Sequence, residues 1–175
     1  MNDQAIALIS FGYFEKIFLE KLADAIAQEF HKPVTLKDGH IDIGNFYDPA
    51  RNQYDANKLL ATVDTLVTSD ILKGIGIFNV DLYIPILTYI FGQAFLGGQS
   101  GIASTFRLKN ERYGMPSDEA LLLERTKKEV IHELGHTCGL IHCHVPSCVM
   151  RSGTYVEDID QKEVHLCHQC RVKLE

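Results

Sequence analysis

The sequence predicts an α/β (α+β) fold, a sheet packed on helices with a smaller C-terminal part, and three observations predict it. The apolar run AIALISF at 5–11 is followed directly by a segment of helical periodicity, and a strand feeding straight into a helix opens an α/β unit. Further short apolar runs bounded by Gly and Pro lie at 74–83, 90–96 and 102–108, short enough to be strands. A long apolar-periodic segment then runs from Ser117 to about Cys138, and beyond Gly139 the chain becomes rich in Cys and His.

Taken in order, Glu15 to Phe30 places Phe18, Leu22, Ala25, Ile26 and Phe30 on one side of a helix. Pro33–Leu36 and His40–Ile43 read as short strands around a turn at Lys37-Asp38-Gly39. Tyr47 to Tyr54 is a polar loop with a turn at Asp48-Pro49, and Asn52 to Val67 is helical through Leu59, Leu60, Val63 and Leu66. Gly74 to Tyr83 is a core strand ended by Pro85; with no helix after it, Gly74-x-Gly76 is a tight strand entry rather than a nucleotide loop. Ile90–Leu96 and Ile102–Leu108 are strands joined through the glycine-rich 97–101, a turn or bulge open to solvent or ligand. Ser117 is the expected N-cap of the long helix, with Asp118 and Glu119 complementing its dipole. Glu157 to Val172 reads as helical. The expected organisation is a single domain, 1–175, whose N-terminal part (1–138) and C-terminal part (139–175) share one cleft.

Composition narrows the class. A domain of 175 residues buries about 70% of its unfolded surface. The net charge of −6 argues against nucleic-acid and anionic-membrane partners. No stretch reaches transmembrane length, since 84–96 is interrupted by Pro85, Gly92 and Gln93. The start, MNDQAIALIS, carries Asp3 and lacks the basic residues of a secretory signal, so the expected location is the cytoplasm and the expected state a monomer. All five cysteines lie between 138 and 170, with six of the eight histidines between 132 and 168. In a reducing compartment, clustered thiolates hold metal more often than they form disulfides.

Residues 129–151, EVIHELGHTCGLIHCHVPSCVMR, contain the pattern H-E-x-x-H-x-x-G-x-x-H at His132, Glu133, His136, Gly139 and His142. At 3.6 residues per turn His132 and His136 share a helix face, where two imidazoles can bind one zinc ion. A continuing helix would carry His142 about 120° around the axis from His136, so a sharp turn is needed, and Gly139 is free to adopt the positive φ such a turn requires. Three histidines leave the fourth zinc position open, the catalytic type of site, and Glu133 is the natural general base for the water.

The same pattern followed by Met150 resembles the metzincin clan of zinc peptidases, and the resemblance implies that Met150 forms a methionine turn beneath the zinc. Cys143 directly after the third histidine, Cys148 within C-V-M, and Cys167-x-x-Cys170 narrow it: HExxHxxGxxHC-x4-CxM-…-CxxC resembles the archaemetzincins. That likeness implies a metzincin-like mixed twisted sheet, an intracellular zinc metallopeptidase, and a second, structural zinc held by Cys143, Cys148, Cys167 and Cys170. Four thiolates in two close pairs also match a closed tetrahedral zinc site on chemical grounds. The total is then two zinc ions per chain. Four thiolates and one dication carry about −2, expected to attract Lys162, Arg171 or Lys173. Cys138 is read as a buried thiol, and His144, His165 and His168 as residues at the surface or supporting a ligand, with His144, close to the site, the first candidate for an exception. Some metzincins carry a tyrosine two residues after the methionine; this chain has Ser152 there, with Tyr155 as the nearest alternative.

The expected activity is hydrolysis of peptide bonds through a zinc-activated water with Glu133 as base, on a peptide or protein substrate. Narrow specificity or aminopeptidase-like action falls within that expectation. Metzincin resemblance implies an extended substrate on an edge strand, placed here at Ile90–Leu96 with Gln99 and Ser100 at its rim. Two other classes fit part of the pattern. A metal-dependent ribonuclease can use three similarly spaced histidines, but neither Glu133 nor the acidic balance suits RNA. A non-catalytic zinc-binding interaction module would use the cysteine pairs and would need neither the histidines nor Glu133.

Overall fold

Every residue of β1 (Ile6–Phe11) is buried, because the strand has a parallel neighbour on each side, β2 (Val34–Gly39) and β5 (Lys73–Phe78). The structure, a computed structural model, describes residues 4–174; Asp3 and Glu175 lie outside the described residues. β8 (Ser100–Ser104) continues the parallel set, and β7 (Gly92–Ala94) joins it antiparallel at one edge, giving a mixed sheet of order β2-β1-β5-β8-β7. Successive side chains alternate between faces. Ile6, Leu8, Ile75 and Ile77 meet α1 (Lys16–Phe30) and α3 (Glu119–Thr137); Ala7, Ile9, Phe11 and Phe78 meet α2 (Ala56–Leu66). Each fully buried Leu or Ile contributes about 1.5–3 kcal/mol, so the strand pattern itself clamps α3 against β8 and β7.

A second, three-stranded sheet is made by β3 (Tyr47–Asp48), β4 (Gln53–Asp55) and β6 (Leu82–Tyr83). Among the described residues of the C-terminal part, the regular elements are α4 (Val156–Gln161) and α5 (His168–Val172). Its core is a cluster of Leu140, Cys148, Val149, Met150, Leu166 and Cys170 against Ile131 of α3.

Several elements differ from expectation for identifiable reasons. No turn forms at Lys37-Asp38-Gly39: β2 pairs residue by residue with β1 through Phe11↔Gly39, and the Phe11 ring fills the place of a Gly39 side chain. Tyr47–Tyr54 is a hairpin rather than a loop, its Tyr47 and Tyr54 rings 5.2 Å apart. α2 starts at Ala56, not Asn52, because the Asp55 carboxylate caps Lys58 N–H. The run 74–83 splits between two sheets, and Phe106–Leu108 is 3-10 helix rather than strand. Asp118, not Ser117, caps α3 by accepting from Leu121 N–H. The expected helix 157–172 breaks between α4 and α5, where Leu166 N–H bonds to Glu29 instead of to its own helix.

Candidate active site and metal centre

α3 carries the first two histidines on a rod whose inner face is buried from Leu122 to Thr137. It ends as the sequence requires: Gly139 has φ +89°, Gly139 N–H bonds to His136 C=O (2.9 Å), and Leu140 N–H bonds to Gly135 C=O (3.0 Å). This is the Schellman arrangement, and it turns the chain back so that His142 reaches the other two rings. Ring centroids lie 4.6 Å apart for His132–His136, 5.3 Å for His132–His142 and 5.0 Å for His136–His142.

The outer nitrogens decide the tautomers. His132 Nδ1 is 2.8 Å from Val149 C=O and His136 Nδ1 is 2.7 Å from Leu140 C=O. A carbonyl only accepts, so both Nδ1 atoms carry the proton and donate it. Both Nε2 atoms are then bare lone pairs, yet they face one another at 3.0 Å. Two acceptors at that distance call for a cation between them, and tetrahedral zinc with Zn–N of about 2.0–2.1 Å sets neighbouring nitrogens about 3.3 Å apart. The residues fit the metal. Burial, reinforced by the nearby Lys162 ammonium, holds His132 well below the ordinary imidazole range, and burial also lowers His136 and His142. All three are therefore neutral at neutral pH, the form in which an imidazole can bind a metal.

Glu133, 4% exposed, faces the cleft beside this cluster. Burial first, and the neighbouring Glu129 carboxyl second, push it well above the ordinary carboxylate range. Glu129 and Lys162 line the same cleft, both buried. The Lys162 ammonium donates to Arg151 C=O (3.1 Å) and stands 3.4 Å from His132 Nδ1. Glu129 was legible in principle, one helical turn before Glu133 on the same face; no local signal marks Lys162.

The cleft, about 650 Å³, runs between β7 and the segment 152–155. β7 is the edge of the five-stranded sheet, as expected for 90–96, although the strand itself is only Gly92–Ala94. Gln99 and Ser100 are not at its rim: Gln99 donates to Ile71 C=O and the fully buried Ser100 bonds to Asp64. The exposed large apolar residues on the cleft include Leu87, Leu96, Ile141 and Tyr155. Met150 is fully buried beneath α3, its sulfur in the place of a Gly135 side chain.

The four cysteines converge separately. Cys143–Cys167 and Cys148–Cys170 Sγ atoms are each 3.8 Å apart, and all four sulfurs lie within 4.8 Å of one another. Disulfides need about 2.05 Å, whereas a zinc tetrahedron with Zn–S of about 2.3 Å has edges of about 3.8 Å. Despite opposing burial, the Cys170 N–H and the other thiols bring Cys167 down to about 7, a thiolate poised at neutral pH. Adjacent residues thus serve different clusters: His142 one, Cys143 the other. Arg171 pairs with Glu29 (2.5 Å) rather than with the thiols, whereas Lys162, whose nearest contacts are Arg151 C=O and His132, is also drawn electrostatically to Cys148. Cys138 stands outside both clusters and burial raises it; His144 and His168 are exposed, and His165 bonds to Glu29.

A chain of this fold with a histidine cluster, an adjacent buried carboxyl and a four-thiol cluster is a zinc metallopeptidase. Comparison with known proteins narrows the class: the chain belongs to peptidase family M54, whose pattern matches residues 40–175. It is 40% identical over 141 residues to the archaemetzincin of Pyrococcus horikoshii, covering 78% of this chain and 75% of that one. A zinc-dependent peptidase from Methanocorpusculum labreanum superposes with a TM-score of 0.89 at 30% identity, covering 98% and 100% of the two chains. The archaemetzincin of Methanopyrus kandleri gives 0.86 at 29% identity, covering 99% and 94%.

Proposed function

We propose that this chain hydrolyses peptide bonds with Glu133 as general base at a zinc held by His132, His136 and His142, while Cys143, Cys148, Cys167 and Cys170 hold a second, structural zinc. The observation that carries the reading is the pair of bare Nε2 atoms facing each other beside a buried carboxyl. Bound there, zinc supplies a Lewis acid for the scissile carbonyl and the attacking water. The chain supplies the rest. Glu133 takes the proton from the water and passes it to the departing amine, and its raised proton affinity suits a group that must accept and return a proton. The unpaired edge of β7 offers backbone N–H and C=O groups to an extended peptide lying over α3. Gly135 against Met150 supports the histidine helix from below, which favours the metzincin reading of that methionine.

The whole of 1–175 acts as one catalytic domain in this proposal. Cysteine sulfurs at ligand rather than disulfide distance favour a reducing compartment such as the cytoplasm. Among the described residues no helix is long and apolar enough to cross a membrane.

Glu133→Ala with full zinc content is expected to lose roughly 10²–10⁴-fold in turnover of a peptide library, the usual contribution of a general base. An RNA substrate incubated alongside stays intact. Undiminished peptide hydrolysis by the zinc-loaded variant would remove Glu133 from the mechanism.

A further inference from the structure

Three consecutive residues, Cys148, Val149 and Met150, perform three different tasks. Cys148 contributes a sulfur to the four-thiol cluster, Val149 C=O accepts from His132 Nδ1 (2.8 Å), and Met150 packs under Gly135 of α3. All three are buried, at 1%, 0% and 0% exposure, so none can shift without moving its neighbours.

The Val149 peptide is gripped from both sides. Its N–H donates to His165 C=O (3.0 Å), and Glu163 N–H donates to Ser147 C=O (2.9 Å), a short ladder joining the Cys148 segment to the chain that leads into Cys167. Cys167 N–H closes the ladder on Cys148 Sγ (3.4 Å), and Cys143 N–H on Met150 C=O (3.0 Å). The far end is fixed by Glu29 of α1, 3% exposed, which accepts from Leu166 N–H (2.9 Å) and pairs with Arg171 (2.5 Å) and His165 (2.8 Å). A continuous path therefore runs from the thiol cluster through a single residue, Val149, to the ring of the first histidine.

We propose that Val149 is the positioning residue for His132 and that the four-cysteine site sets its position, so that the structural metal tunes the metal affinity of the three-histidine site. The carbonyl that fixes a ligand histidine's tautomer and ring plane commonly changes metal affinity about 10–100-fold when disturbed. Because coupling between sites is reciprocal, occupancy of the histidine cluster should tighten metal retention at the thiols by the same factor. This rests on both clusters binding metal, as in the function proposed above.

The test uses the full chain with cobalt at the histidine cluster and either zinc or the larger cadmium ion at the thiols, which leaves the fold in place while altering the sulfur tetrahedron. Cobalt affinity, by chelator competition, and the cobalt absorption spectrum are read for each. With cadmium in place of zinc, the cobalt bands shift and affinity falls at least several-fold. Cys170→Ser, with three thiolates left, gives about a tenfold loss of cobalt affinity. Identical cobalt spectra and affinities across all three samples would overturn the coupling while leaving the two-site reading intact. Failure of cobalt to bind the histidines in any sample would instead overturn the site itself, and the coupling with it.

Discussion

Gly92 and Glu133 are in closer contact than any side chain at position 92 would permit. A β-carbon there would lie 2.8 Å from Glu133 Cγ and 2.9 Å from Glu133 Oε1, with Ile102 C=O at 2.7 Å. The edge strand and the proposed base are thus set against each other by the absence of one methyl group, the closeness that the proposed binding of a peptide along β7 requires.

Gly92→Ala is accordingly expected to displace Glu133 and lower kcat on a peptide substrate about tenfold or more, since small misplacements of reacting groups cost heavily. Zinc content should be unchanged, and overpacking against Ile102 should cost about 1–3 kcal/mol of stability. Kinetics beside a denaturation curve separate the two effects. A variant with parental kcat would show that the close approach is incidental.

Cys167→Ser should release the metal at the thiol cluster and lower stability, because binding energy at a structural site is also folding energy. Metal content should fall by about one ion per chain, with a drop in thermal midpoint of several degrees. An unchanged midpoint with both metals retained would contradict a structural role.

Glu29→Ala should destabilise by about 2–3 kcal/mol, the cost of losing charge-assisted hydrogen bonds to a buried carboxylate. Three groups lose the carboxylate: Arg171, which keeps its bond to the residue 29 carbonyl, His165 and Leu166 N–H. In a chain of this size the midpoint falls by about 5–10 °C. A shift within 1 °C or so would show that the buried pair contributes little.

Asp158 carries a pH dependence whose sign is fixed. The Tyr155 and Thr154 N–H groups, each at 2.9 Å, hold its carboxyl below the ordinary range. A depressed folded value means that the stabilisation is present above the unfolded carboxylate range and is lost as pH falls through the folded one. Asp158→Asn should therefore melt lower than the parent at pH 7, with the gap closing on acidification. A gap that widens at low pH would reverse the assignment.

The sequence alone determined what depends on spacing and residue chemistry. His132 and His136 meet because four residues make about one helical turn, Gly139 turns the chain because it can take positive φ, and the cysteines pair off by clusters rather than disulfides. β1, α1 and the buried length of α3 were legible from periodicity for the same reason. Tertiary structure alone decided what depends on partners distant in the chain. Whether 34–39 bends or pairs with β1, whether 74–83 serves one sheet or two, and whether 157–172 stays helical were settled by competing long-range hydrogen bonds. Lys162 beneath His132, Gly92 against Glu133 and Val149 between the two clusters follow from packing α3, β7 and the C-terminal part together. A hydrogen bond or a missing methyl acts over a few ångströms, and only the folded chain brings residues 29, 92, 149 and 162 within that range of the groups they hold.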